Sequence, residues 1–471
     1  MPAGTATLVF AAGILGLFLL DRDPKSHTSK ALWIVLLWIS LAGSRPLGIW
    51  IDTLHQVPIG DSTSSTSQFT EGSPLDRFVY SGLLLMGLIV LVTRRERVLG
   101  ILKANWPLVA FSLYCAVSVT WSDYADVAFK RWIKSLGDFV MVLIILTERE
   151  RYAAIKRTVV WMAFVLIPIS VLFIKFYPDL GRGYNPWTWL PYYTGVTTNK
   201  NELGRLCLVL GLGIVWRLLA AFRADKPAVR NKQLLVFGAL LAMVLWLFWM
   251  AGSMTSLSCF VMASGLMVAC RFRFAARNPW VVHGMVFTIL AASFAALFLD
   301  MGGSVLQTMG RDPTLTGRTE IWKLVLGMAG NPLLGTGFES FWLGKRLEKM
   351  WSLYWWHPRE AHNGYIEMYL SLGWLGLLMF AVVVVTGYRT VSSALRRNSE
   401  EGALRLAYFV VVVAYNFTES AFGPLNVIWI FFLLATFSVP GGWIKSKPRK
   451  PPVQTAEIPP VSASFLEQVS T

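Results

Sequence analysis

In "EAHNGYIEMYLSLGWLGLLMF", a histidine and an asparagine open a long apolar run that starts from Glu360. The chain has five histidines. His27 and His55 fall in loops, His357 sits in the aromatic stretch "WWHPRE", and His283 is given no role. His362 is different, because a titratable ring here stands near cations that the same pattern places around it. Arg131 and Lys134 are one helical step apart at the start of an apolar segment. Lys200 and Arg205 flank the beginning of another in "NKNELGR", and Arg318 lies in "TLTGRTEIW" before a short amphipathic helix. Convergent Arg and Lys suit a diphosphate: Arg offers a permanently charged fork to phosphate oxygens, and Lys adds a compact point charge. At a helix start, beside arginines, the His362 ring is expected to be neutral and able to accept a proton. A proton acceptor next to a cationic anion pocket is what glycosyl transfer needs, one part activating a hydroxyl and the other neutralising a departing phosphate. Glu320, Glu339 and Glu360 are carboxylates placed to orient His362, bind acceptor hydroxyls or pair with the arginines, and Asn363 is a further orienting candidate. No spacing resembles a metal site, and no outer Asp-x-Asp pair is present to hold a divalent ion, so neither metal nor cofactor is expected.

The elements that must carry these residues are membrane helices. The chain is 55% hydrophobic and only 15% charged, and apolar runs of roughly 20 residues recur along it. The expected fold is an all-α polytopic integral membrane protein of roughly 13 transmembrane helices. The expected starts are Thr5, Ala31, Pro74, Leu102, Ala128, Arg157, Glu202, Lys232, Ser256, Trp280, Asn363, Ala403 and Leu425. A net charge of +16 does not point to nucleic acid, because its placement follows topology. Connections 21–30, 94–103, 148–157, 223–232, 271–277 and 389–405, and the tail after Gly441, are rich in Lys and Arg, whereas 52–73 and 122–126 are not. The positive-inside rule then puts the N-terminus outside and the C-terminus in the cytoplasm. The first apolar run lacks a basic n-region and reads as a retained helix. Cys115, Cys207, Cys259 and Cys270 read as small core residues rather than disulfide or metal partners.

One membrane domain spans 1–444, and 445–471 is a Pro- and Ser-rich cytoplasmic tail read as disordered. Residues 61–68 are an outer loop. Two outer segments, 176–205 and 301–361, are dense in Gly, Pro and aromatics and carry cations on the side that otherwise avoids them. Lys345, Arg346 and Lys349 belong to an interfacial helix with one aromatic and one basic face, and are read as solvated. Asp138 is read as structural or as paired with a basic neighbour such as Lys134, four positions earlier. The aromatic stretches 184–193 and 351–356 offer sugar stacking, a membrane-surface lid or an interfacial belt.

"TGRTEIWKLVLGMAGNPLLGTGFESF" followed by "HNGYIEMYLSLGWLGLL" resembles the O-antigen ligase and Wzy-type polysaccharide polymerase superfamily, in its subgroup of exopolysaccharide polymerases related to ExoQ. "WSDYADVAFKRW" and "TTNKNELG" are similar to further landmarks, so the resemblance covers about 116–380. It implies a GT-C-like helical fold with the catalytic loop, 301–361, in the periplasm of a bacterial inner-membrane protein. It implies a donor glycan carried on undecaprenyl diphosphate, with metal-independent inverting transfer. By motif position the family's diphosphate-binding arginine falls on Arg318 and its catalytic histidine on His362. A further family arginine falls on Arg205 or Arg131, with Lys200 nearby. The implied function is polymerisation of lipid-linked repeats into exopolysaccharide, with a chain-length regulator or export proteins as further partners. The same loops fit a ligase that moves finished glycan to a lipid or protein acceptor. A flippase of lipid-linked glycan is the third reading. It would need charges deep in several spans, whereas here only Asp138 and Arg217 lie there.

Overall fold

We describe a computed structural model covering residues 1–21, 28–54, 73–184, 189–272, 278–298 and 316–440. The outer loop 61–68, the tail 445–471, residues 301–315, His27 and His55 lie outside these described residues. In hydrocarbon every backbone polar group must be satisfied within the chain, so apolar runs of this length fold as helices. In chain order they are α1 (Ala3–Leu20), α2 (Leu32–Ala42), α3 (Leu47–Leu54), α4 (Pro74–Thr93), α5 (Arg95–Ala104), α6 (Trp106–Ser118), α7 (Ala125–Leu146) and α8 (Arg151–Phe176). After a hairpin of β1 (Arg182–Tyr184) and β2 (Pro191–Tyr193) come α9 (Lys200–Ala221), α10 (Pro227–Ala251), α11 (Met254–Ala269) and α12 (Pro279–Phe298). The remainder are α13 (Thr316–Gly327), α14 (Gly344–Leu353), α15 (Gly364–Arg397), α16 (Ser399–Tyr415) and α17 (Val427–Thr436).

Every expected span start falls inside one of these helices or within about two residues ahead of one. Among the described residues, six helices are long and apolar enough to cross a membrane, seven if one bent pair counts as a span, and four shorter helices are also apolar. The bent pair is α5 and α6, where a single span was expected from Leu102. The two meet at 92° around Asn105. Asn105 makes that corner, donating through Nδ2 to Ile101 O and Ser438 O while its Oδ1 accepts from Ser438 N. Large apolar side chains such as Leu8, Phe78, Ile89, Trp249, Trp280 and Phe287 point outward, a surface that suits lipid rather than water. The four cysteines are free and buried.

Residues 1–439 form one compact unit. Its centre is α9, α16 and α17. All ten residues of α17 are buried, and α16 is buried from Glu401 to Tyr415. α15 and α11 pack on α16, so the end of α16 and the starts of α9 and α15 meet at one end of the bundle. Buried Asp138 accepts from Trp38 Nε1 at 2.9 Å and from Leu425 N at 2.9 Å. These long-range partners, and not Lys134, satisfy it.

α15 is two half-helices joined at Gly373, whose φ of 64° and ψ of −167° no L side chain adopts comfortably. In an unbroken helix Trp374 N and Leu375 N would donate to Leu370 O and Ser371 O. Here they donate to Pro332 O and Leu333 O, while the two freed carbonyls accept from Thr336 N and Gly337 N. The 331–337 turn therefore completes the helix it interrupts, four bonds to the turn standing in for two within the helix. A Cβ at Gly373 would overlap the Leu333 carbonyl. Gly373→Ala is expected to destabilise the fold by roughly 3 kcal/mol or more, read as lower yield and an earlier thermal transition in detergent.

Candidate active site

The segment before α15 is fixed to the turn after α16. Asn363 caps α15 by accepting from Tyr365 N and Ile366 N, at 3.0 and 3.1 Å, and its Nδ2 donates to Phe417 O. Gly364 N donates to Asn416 O and Glu419 O, and a side chain at Gly364 would strike Asn416. Asn416 in turn accepts from Ala421 N at 2.8 Å. Asn363 thus orients the segment as a cap. Glu367, one turn inside α15, accepts from Ala361 N and from Trp342 Nε1, which ties the preceding loop back to the helix.

This scaffold brings His362 between two carboxylates. Its Nδ1 lies 3.1 Å from Glu360 Oε1 and 3.3 Å from Glu419 Oε2. Glu419 Oε1 is 3.5 Å from Arg318 Nη2, and Arg318 Nη1 donates to Thr418 O at 2.6 Å. Arg318, near the start of α13, and His362 therefore share one acid, Glu419, as a bridge. With both carboxylates on Nδ1, Nε2 is the ring nitrogen left for proton transfer.

The expected neutral ring does not survive this geometry. Burial alone lowers the imidazolium pKa, but hydrogen bonds to Glu360 and Glu419, and their charges, raise it to about 10. Asn363, not His362, is the helix cap, so the dipole argument applied one residue too far along, and carboxylates outweigh the arginines. Glu360 moves the other way. Burial would raise it, yet the hydrogen bond and charge of His362, with Arg205 and Arg318, hold it below the usual carboxylate range.

A cavity of about 540 Å³ opens on this cluster, lined by His362, Glu360, Lys200, Arg205, Asn199 and Tyr192 among others. Asn199 caps α9 by accepting from Glu202 N, and Glu202 returns to Thr198, which places Lys200 and Arg205 at the cavity wall. Arg205 Nε is buried with no partner among the described residues, a donor left over for an anion. Arg45 holds the β-hairpin beside it through Thr197 O, Thr194 Oγ1 and Leu180 O, and this brings Tyr192 to the same wall.

The other candidates lie elsewhere. Arg131 donates to Glu339 O and does not line this cavity. Glu339 faces a separate pocket of about 30 Å³ shared with Ser371 and Ser420. Burial pushes its carboxyl up, against the pull of Arg131. Glu320 is exposed on α13. Lys345 and Lys349 are exposed as expected, but Arg346 is not simply solvated: it pairs with Asp123 at 2.9 Å and donates to Phe341 O and Ser340 O. Lys345→Ala should leave activity within about twofold, whereas Arg346→Ala should lower it several-fold and speed proteolysis of the 340–346 turn. His357 stacks on Trp351 at 4.8 Å.

Glu419 and Glu367 are the residues that sequence reasoning missed. The signal for Glu419 was a lone acid in "NFTESAFGP", between two strongly apolar runs. Glu360, His362 and Glu419 offer ligand atoms within 4.8 Å of one another, a set able to hold a cation. Arg318 beside Glu419, and Arg205 on the same cavity, place positive charge against a dication there.

Residues 239–381 match the profile of a family described as O-antigen ligase, a span that includes Arg318 and His362. Over 307 residues the chain is 26% identical to the exopolysaccharide production protein ExoQ of Rhizobium meliloti (strain 1021), covering 64% of this chain and 68% of that protein.

Proposed function

As this chain belongs to the O-antigen ligase and Wzy-type polymerase superfamily, in its ExoQ-like group, we propose that it polymerises lipid-linked oligosaccharide repeats into exopolysaccharide. The donor is a glycan on undecaprenyl diphosphate, and transfer takes place at the periplasmic face of the bacterial inner membrane. The reading includes a GT-C-like arrangement of roughly thirteen spans in a membrane domain of residues 1–444, with an outer N-terminus and a cytoplasmic tail. The observation that carries it is a histidine held by two carboxylates at the wall of a cavity shared with Lys200 and Arg205, one acid away from Arg318.

In this mechanism an acceptor hydroxyl attacks the anomeric carbon from the side opposite the diphosphate. The new C–O bond forms as the old one breaks, and undecaprenyl diphosphate leaves with the bonding electron pair. Arg318, Arg205 and Lys200 take up its developing charge. The hydroxyl proton passes to Nε2 of His362, while Glu360 and Glu419 hold Nδ1–H and stabilise the imidazolium that forms. No step uses a metal ion. Purified activity should therefore survive chelator, and an absolute requirement for magnesium would remove the mechanism.

A ligase transferring finished glycan to a lipid or protein acceptor is the second reading, favoured by the description of the matched family. Deleting the gene separates these readings. Single lipid-linked repeats accumulating on the periplasmic side are the expected result, full-length unligated polymer would mark a ligase, and repeats held on the cytoplasmic face would mark transport.

A further inference from the structure

We propose that the chain holds a second anion site, built for a phosphate group, at the end of α7 remote from His362. The site is a cavity of about 730 Å³ framed by residues 28–29, 92–97 and 147–149. Arg131 near one end of α7 reaches Glu339, and Thr147 caps the other end, a separation of about 24 Å at 1.5 Å per residue. The cavity therefore opens on the opposite membrane face, the one that the basic connections 94–103 and 148–157 assign to the cytoplasm. This inference is independent of the proposed transfer chemistry.

The walls are cross-linked by side chains. Glu148 accepts from Ser29 N at 3.0 Å and from Arg94 Nη2 at 2.8 Å. Arg94 Nη1 also donates to Ile144 O and Thr147 Oγ1, and Arg97 Nη1 donates to Thr147 O at 2.8 Å. Three separate stretches of chain are thereby locked together without Arg95 or Arg149. Those two line the cavity, are exposed, and have no ion pair among the described residues. Four arginines face the cavity against two acids, Glu96 and Glu148, and Arg94 already neutralises the second.

α5 begins at this cavity without a side-chain N-cap, and α4 and α7 end at it. The positive start of α5 is offset there by the carbonyl ends of α4 and α7, so the arginine side chains carry the field. Guanidinium forks match phosphate oxygens. The volume lies in the ordinary range of about 300–1,000 Å³ for small-molecule sites and exceeds what a bare phosphate fills. An anionic phospholipid headgroup from the adjoining leaflet fits both size and charge, and free phosphate would use the same donors.

The test uses full-length protein in neutral detergent, titrated with phosphatidylglycerol or phosphatidylcholine and read by native mass spectrometry. Wild type should retain phosphatidylglycerol at least about tenfold better than phosphatidylcholine. The double variant Arg95→Ala, Arg149→Ala should lose about tenfold of that retention while melting at the wild-type temperature. The pair Arg396→Ala, Arg397→Ala, basic residues at the end of α15 and outside the cavity, should change nothing. Displacement of the lipid by inorganic phosphate alone would support the same chemistry with free phosphate as the source. Equal retention of both lipids, an unaffected Arg95/Arg149 variant, or an equal loss in the Arg396/Arg397 control would each overturn the proposal.

Discussion

Arg318→Ala is expected to abolish long polymer, lowering the transfer rate by about 10²–10³-fold while the protein stays in the membrane at its normal level. The geometry separates these two outcomes. Arg318 contacts only Thr418 O and Glu419 in the described interactions and is partly exposed, so little packing is lost with it. What disappears is the fork that would meet the donor diphosphate, together with the positive charge that balances Glu419. Arg318→Lys keeps a charge but not the planar pair of donors, and should recover only a small part of the rate. Polymer length on gels, with membrane abundance by immunoblot, checks both. Wild-type chain lengths in Arg318→Ala would remove this residue from the site.

The second large effect is in the pH dependence. His362 binds its proton more tightly than a free imidazole because two carboxylates stabilise the charged ring. With the pKa raised to about 10, the neutral ring is the scarce form at neutral pH, about one in 300 at pH 7.5. If that neutral ring takes the acceptor proton, kcat/KM should rise about tenfold per pH unit and level off only near the raised pKa. Removing one carboxylate lowers the charge around the ring. Glu419→Gln and Glu360→Gln should therefore each move the acid limb down, toward the ordinary value of about 6.5. His362→Gln should lose about 10²–10⁴-fold and flatten the profile. A flat wild-type profile between about pH 6 and 10 would assign the base to another group.

Hydropathy and charge alone located the apolar helical runs, because such a run must satisfy its backbone by itself, but not the corner at Asn105 that splits one of them. Arg318 and His362 were also legible, each being a charged or titratable residue in a place that otherwise excludes it. What remained hidden was set by chain segments far apart. Glu419 is separated from His362 by 57 positions and from Arg318 by about 100. Its presence reverses the charge state inferred from the local helix dipole. Asp138 finds Trp38 across 100 positions and ignores the lysine one turn away. Arg131 had the same local credentials as Arg205, and only packing sends one to a backbone carbonyl of Glu339 and the other to the cavity wall.

The exchange of four hydrogen bonds between residues 332–337 and the break at Gly373 carries a consequence for how the sequence can vary. Surface loops usually absorb an extra or a missing residue at little thermodynamic expense. Here a single insertion between Asn331 and Gly337 would slide part of the turn out of register and leave donors and acceptors at the helix break without partners. Chain length in this stretch is consequently as constrained as residue identity, so a shift of one residue there should act like a lost gene, while changes of side chain at the outward-facing Leu333 are absorbed.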